Sequence, residues 1–170
     1  MKVVLASVSF TSPYTAQRRM LSLGYIHAQA ISDELIRDSS EIVHKFYDCS
    51  IHDEVYNAKA ILKDDPDLVG FSCYVWNTPD VLKVCAEVKK LKPDVKIILG
   101  GPEVSYHFAR ILDQNSSVDW VAVNEGEETF RELMRALIQD EDTTQIPGLA
   151  QRKDGKPDVP SPRAYCKDLD

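Results

Sequence analysis

Three stretches of this chain are apolar at consecutive rather than alternate positions: Val3-Val4-Leu5-Ala6, Ile97-Ile98-Leu99 and Val121-Ala122-Val123. A strand of that kind must be covered on both faces, and such strands belong to parallel sheets flanked by helices. The strand candidates are Lys2–Val8, Glu41–Tyr47, Leu68–Cys73, Val95–Leu99 and Trp120–Val123. Helical periodicity fills the gaps. Val81, Leu82, Val84, Cys85, Val88 and Leu91 form one apolar stripe, and Phe130, Leu133, Met134, Leu137 and Ile138 form another. Thr78-Pro79-Asp80 reads as an N-cap, a proline at the first helical position and a first-turn acid, and Pro93 stops that helix. Strands alternating with helices in this rhythm predict an α/β fold: a doubly wound, five-stranded parallel sheet with helices on both faces.

At 170 residues the chain is sized for one domain with a modest appendage. It carries 20 Lys+Arg against 27 Asp+Glu, a formal charge of −7. That balance lacks the basic face that nucleic acid or an anionic membrane requires. No apolar run approaches the roughly 18 residues of a membrane span, and Met1–Ala6 is too short for a signal peptide. Cys49, Cys73, Cys85 and Cys166 stand far apart without a CxxC pair. Neither a disulfide framework nor a self-contained zinc or iron–sulfur site is expected. The expectation is a cytoplasmic domain with no nucleic-acid or membrane partner. Beyond Ile138 the character changes. Gln139–Gln145 is acidic and polar, Pro147–Val159 carries an Asp154-Gly155 hairpin turn signal, and Pro160–Asp170 has no periodicity. The expected organisation is a domain over residues 1–140, then a hairpin and linker over 141–170.

In an open parallel sheet, ligands sit beyond the carboxyl ends of the strands, where the strand order reverses. The loops there are Ser9–Thr15, Ser72–Thr78, Gly100–His107 and Asn124–Thr129. Each has a plain reading. Gly100-Gly101-Pro102 suits a tight strand-to-helix turn. Tyr74 and Trp76 suit rim aromatics packed on a helix, and Glu125, Glu127 and Glu128 suit the first turn of a helix. Together, though, glycine pairs, large aromatics and small hydroxyls fall on one rim, where a broad, flat ligand needs close backbone approach.

The segments Val69-Gly70-Phe71-Ser72-Cys73-Tyr74-Val75-Trp76-Asn77, Leu99-Gly100-Gly101-Pro102-Glu103-Val104-Ser105-Tyr106 and Glu125-Gly126-Glu127-Glu128-Thr129-Phe130 resemble the N-terminal cobalamin (B12)-binding domain of B12-dependent radical SAM proteins. The likeness runs from about Leu5 to Asp170. It is nearest to the branch whose full chains carry a C-terminal domain of unknown function (the DUF4080 type). The resemblance implies a Rossmann-like, flavodoxin-like strand order 2-1-3-4-5, with cobalamin across the strand ends and its nucleotide tail beside the sheet. It implies cofactor binding by Ser72, Tyr74, Trp76, Asn77, Gly100, Gly101, Pro102, Glu103, Asn124, Glu125 and Gly126. In that reading Ser72 hydrogen-bonds the buried dimethylbenzimidazole and Gly100-Gly101 lets the tail pass close to the backbone. Tyr74, Trp76, Glu103 and Asn124-Glu125-Gly126 line the corrin and its amides. It further implies a partner in cis, a radical SAM barrel that would hold SAM and a [4Fe–4S] cluster. Asp168-Leu169-Asp170 would begin the connector to it. The domain alone would bind cofactor and catalyse nothing.

The chain departs from the wider family in two places. The Asp-x-His-x-x-Gly motif that supplies a cobalt-ligating histidine is absent after the first strand, which implies base-off, histidine-off binding. Asn124 stands where the family usually shows glycine. Of the four histidines, His27 and His44 read as packed or surface side chains, Cys49-x-x-His52 follows the second strand away from the switch point and lacks partners, and His107 alone sits in a rim loop. Cys73 reads as a small buried residue, since nothing near it in sequence would lower a thiol pKa. Two other readings share the fold class. A flavodoxin-like FMN electron carrier would use Ser9–Thr15 as its phosphate loop, although that loop lacks a glycine. A receiver-like regulatory domain would need an aspartate where Ser72 stands.

Overall fold

The computed structural model describes residues 1–9, 21–49, 53–159 and 161–164. Its elements run β1 (Lys2–Ser9), α1 (Leu21–Ile31), α2 (Glu34–Ser39), β2 (Glu41–Asp48), α3 (Glu54–Leu62), β3 (Leu68–Ser72) and α4 (Thr78–Leu91). They continue β4 (Lys96–Gly100), α5 (Pro102–Tyr106), α6 (Phe108–Gln114), β5 (Trp120–Ala122), α7 (Glu127–Gln139), β6 (Leu149–Lys153) and β7 (Lys156–Asp158). The sheet order is β2-β1-β3-β4-β5-β6-β7. Strands β1 to β5 are all parallel, as the consecutive apolar runs predict. The order reverses between β1 and β3, so the switch point lies there.

The C-terminal hairpin joins the sheet. β6 pairs antiparallel with β5 and β7 with β6, which extends the sheet to seven strands. Asp154 (φ 50°) and Gly155 (φ 75°) form its turn, both in the left-handed region that a two-residue hairpin favours. Arg152 holds this extension against α6, donating to the carbonyls of Val118, Leu112 and Asn115. Beyond the hairpin, Arg163 donates to Thr129 Oγ1, Glu132 and the Pro147 carbonyl, fixing residues 161–164 against α7.

Alternate residues of each strand feed opposite cores. Val4, Ala6, Val69, Phe71, Cys73, Ile97, Leu99 and Val121 pack with α3, α4 and α6. Val3, Leu5, Leu68, Ile98, Trp120 and Ala122 pack with α1, α2 and α7. One local expectation is corrected. The N-cap of α4 is Asn77 rather than Thr78, with Pro79 inside the first turn. Thr78 instead donates its hydroxyl to the Tyr74 carbonyl at 2.8 Å. Among the described residues no helix is long and apolar enough to cross a membrane.

Candidate functional site

The sheet face toward α1 and α7 becomes bare near its carboxyl end. Residues two apart on a strand share a face, so β3 presents Gly70 and Ser72 there, β4 presents Ile98 and Gly100, and β5 presents Trp120 and Ala122. Ser72 lies opposite Gly100 and Ile98 opposite Trp120, which brings Gly100 beside Ala122. The outermost row across three strands is therefore serine, glycine, alanine. Above it opens a cleft of about 540 Å³. Leu5, Gly70 and Ile98 line its deep end, Leu23 and Ile26 of α1 one wall, and Phe130 of α7 another. Side chains far apart in sequence hold these walls together. Gln29 of α1 donates to Glu128 of α7, and Arg135 of α7 pairs with Asp33 before α2 at 2.7 Å.

The two glycines of the β4–α5 turn do different work. Gly101 has φ +113°, and a Cβ on it would meet the Cys73 carbonyl oxygen at 2.3 Å. The turn itself requires that glycine. A Cβ on Gly100, by contrast, would find nothing nearer than the Ala122 Cβ at 3.9 Å. No packing demand of the protein explains the missing side chain at position 100, and its space belongs to the cleft.

Hydroxyls gather at one end of this floor. Ser72 is 5% exposed, and its Oγ lies 3.3 Å from Ser22 Oγ of α1. Ser7 stands on the same face of β1, two residues beyond Leu5, which pairs with Gly70. Its buried Oγ has no hydrogen-bond partner among the described residues. Around the mouth, Ser105 donates to the Ala122 carbonyl at 3.3 Å and accepts from the Asn124 amide at 3.1 Å. Asn124 adopts φ +67°. Asparagine is among the few non-glycine residues that enter this region readily, which accounts physically for its standing in for glycine.

Of the residues expected to bind cofactor, Ser72, Tyr74, Gly100, Gly101, Pro102, Asn124, Glu125 and Gly126 all border the cleft. Three do not. Asn77 is fully buried, donates to the Val8 and Ser72 carbonyls at 2.8 and 3.0 Å, and accepts from the Tyr74 amide at 2.7 Å. It ties the ends of β1 and β3 to the loop between β3 and α4. Trp76 stacks on Tyr74 with ring centroids 4.7 Å apart and planes within 4° of parallel, outside the cleft proper. Glu103 faces His107, 3.9 Å away, rather than the cavity. Residues that sequence reasoning passed over include Ser22, Leu23, Ile26, Ser105, Tyr106 and Phe130. The α1 residues carried only a faint helical pattern, and their place depends on packing against α7.

Among the described residues no histidine lines the cleft. His27 and His44 instead pair with each other, Nδ1 to Nε2 at 2.7 Å, and burial holds both below the usual imidazole pKa. His52 and most of the Ser9–Thr15 loop lie outside the described residues. Among the described residues no group of three His, Cys, Asp or Glu side chains could hold a metal ion. Cys73 packs in the core on the opposite side of the sheet, and burial raises its thiol pKa far above the ordinary value, with Glu103 adding to the effect.

Comparison with known proteins adds a family and a fold. The model of the B12 binding domain matches residues 36–134. The cobalamin-dependent radical SAM methyltransferase TokK of Streptomyces tokunonensis is 38% identical over 101 residues, covering 59% of this chain and 15% of TokK. Among solved structures, the cobalamin-dependent S-adenosylmethionine radical enzyme OxsB, with aqua-cobalamin and S-adenosylmethionine bound, superposes with a TM-score of 0.76. It is 16% identical, covering 96% of this chain and 22% of that one. The radical S-adenosylmethionine methyltransferase TsrM from Kitasatospora setae, with cobalamin and a [4Fe-4S] cluster bound, gives a TM-score of 0.71 at 16% identity. That match covers 98% of this chain and 30% of TsrM. The chain thus spans less than a third of each of these relatives.

Proposed function

The chain belongs to the B12-binding domain family, and from that premise we propose that its cleft holds a cobalamin, nucleotide tail inward and corrin across the mouth. The observation that carries this reading is the Ser72–Gly100–Ala122 row, above all the glycine at 100, whose missing side chain the fold does not need. Ser72 and Ser22 offer hydroxyls to the base of the tail, and Ser7 holds close by one that has no partner among the described residues. Gly100 lets the tail lie against the strand, while Tyr74, Pro102, Asn124, Glu125 and Gly126 border the region where the corrin would sit. Its neutral amide side chains suit hydroxyl, amide and backbone partners, since such groups satisfy one another without burying charge. Bound cobalamin would supply methyl-group or electron transfer at cobalt. The chain's own part is to bind it and to keep water from the tail. No finding favours the flavin alternative.

In the larger frame we propose that this domain serves a radical SAM enzyme of the kind its relatives are named for. SAM and a [4Fe–4S] cluster would then be held by a neighbouring barrel in cis, in the cytoplasm, and the parent would transfer methyl groups or run a related radical reaction. The division into residues 1–140 for cofactor and 141–170 for hairpin and linker belongs to the same proposal. The test of the binding reading is equilibrium dialysis of the chain against hydroxocobalamin, with FMN in parallel. Saturable uptake of one cobalamin per chain and none of FMN supports it. Uptake of neither, or of FMN alone, overturns it.

A further inference from the structure

We propose that the cleft selects the base at the end of the cofactor's tail, taking a benzimidazole and rejecting a purine; the inference rests on the cobalamin reading above and on the base entering the cleft. The lining is split by polarity. Among the described residues, the inner hydroxyls sit where β3 meets α1, at Ser72 and Ser22, with Ser7 close by on the same face, while Tyr74, Ser105 and Tyr106 line the mouth. The deep remainder is hydrocarbon: Leu5, Leu23, Ile26, Ile98 and Phe130, over a glycine at position 70. A Cβ on Gly70 would stand 2.9 Å from Leu5 Cδ2, 3.6 Å from Ile98 Cγ2 and 4.0 Å from Phe130 Cε2, so apolar side chains gather over this glycine. Among the described residues, the deep end is thus bordered by apolar side chains.

A glycosylated dimethylbenzimidazole has the same split. One edge carries its single free ring nitrogen, an acceptor that one serine hydroxyl satisfies, and the opposite edge carries two methyl groups. Adenine is polar on both edges. Beyond the nitrogen bonded to ribose it brings three acceptor nitrogens and an amine with two donors. The serine cluster can serve one side of that ring, but the other would face leucine, isoleucine and phenylalanine. A buried polar group left without a partner is costly, whereas a methyl group against hydrocarbon is favourable. An apolar pocket rejects a more polar ligand of similar size by up to about a hundredfold.

The test is a set of three dissociation constants for the purified chain, measured by dialysis under one condition. The ligands are cobalamin, the cobamide with adenine as its tail base, and cobinamide, which has no base. The expected result is cobalamin tightest, the adenine cobamide at least about tenfold weaker, and cobinamide also weaker. Ser72→Ala should weaken cobalamin several-fold and leave cobinamide unchanged. Equal affinity for cobalamin and the adenine cobamide, both well above cobinamide, overturns the selectivity while leaving the cobalamin reading intact. Equal affinity for all three would mean the base does not enter the cleft, and no binding would remove the cobalamin reading itself; either result overturns the inference.

Discussion

A Cβ on Gly101 would lie 2.3 Å from the carbonyl oxygen of Cys73. The two segments are this close because the Cys73 amide donates to the Gly100 carbonyl at 2.7 Å, carrying the β3–β4 ladder one residue past the end of β3. Gly101 then turns the chain into α5 at φ +113°. One glycine closes the turn, and its neighbour opens the cleft.

That division gives a stability contrast. Gly101→Ala combines a forbidden backbone angle with backbone overlap and should cost roughly 2–4 kcal/mol. Gly100→Ala meets ordinary van der Waals space and should stay within about 1 kcal/mol of the parent. Urea unfolding of the two variants checks it, and equal losses would refute the assignment.

Asn77→Ala should destabilise by roughly 2–4 kcal/mol, because it leaves the Val8 and Ser72 carbonyls and the Tyr74 amide without their shared partner. Asn77→Asp should not rescue it, since a carboxylate cannot donate to either carbonyl. The readout is a shift of the denaturant midpoint at unchanged slope.

The parallel core of this fold was legible because Val3–Ala6, Ile97–Leu99 and Val121–Val123 have only one way to hide both faces. The strand order and the site motifs came from the family resemblance, and most of the motif residues do meet at one cleft. What stayed hidden depends on distant partners. Asn77 looks like a rim residue until Val8, far away in sequence, is seen to accept from it. Gly100 and Gly101 are indistinguishable as letters, and only the approach of Cys73 separates them. The α1 wall is set by contacts such as Gln29 with Glu128, which no local periodicity encodes. The hairpin signal at Asp154-Gly155 was clear, but its joining of β5 depends on an open sheet edge.

Stability should respond to pH through the His27–His44 pair. Burial lowers both folded pKa values, and for His44 the neighbouring His27 ring also disfavours the charge. As pH falls, the unfolded chain takes up protons first, near its ordinary value of about 6.5. The pair's contribution is therefore complete above about pH 6.5 and is lost as pH falls through the lower folded values. The thermal midpoint of the wild type should drop more between about pH 7.5 and 5.5 than that of His44→Gln. Equal drops would show that the pair is not the source.

Thiol reactivity should follow burial. Cys73 and Cys85 are fully enclosed, and burial pushes both thiols far up. Cys49 is half-buried, and its pKa is pushed up to about 11 by burial and by nearby Asp80. Mild alkylation of the native chain should leave Cys73 and Cys85 unmodified and label Cys49 slowly, as peptide mass spectrometry would read. Fast labelling of Cys73 would contradict its place in the core.

The most direct test of the cobalamin site is the visible spectrum of hydroxocobalamin bound by the wild type and by Gly100→Leu. The side chain at 100 would enter the cleft without disturbing the turn that Gly101 makes. The wild type should give a saturable, base-off spectrum. Gly100→Leu should bind at least about tenfold more weakly, with thermal stability close to the parent. A base-on spectrum, or binding indifferent to Gly100→Leu, would contradict the proposed site.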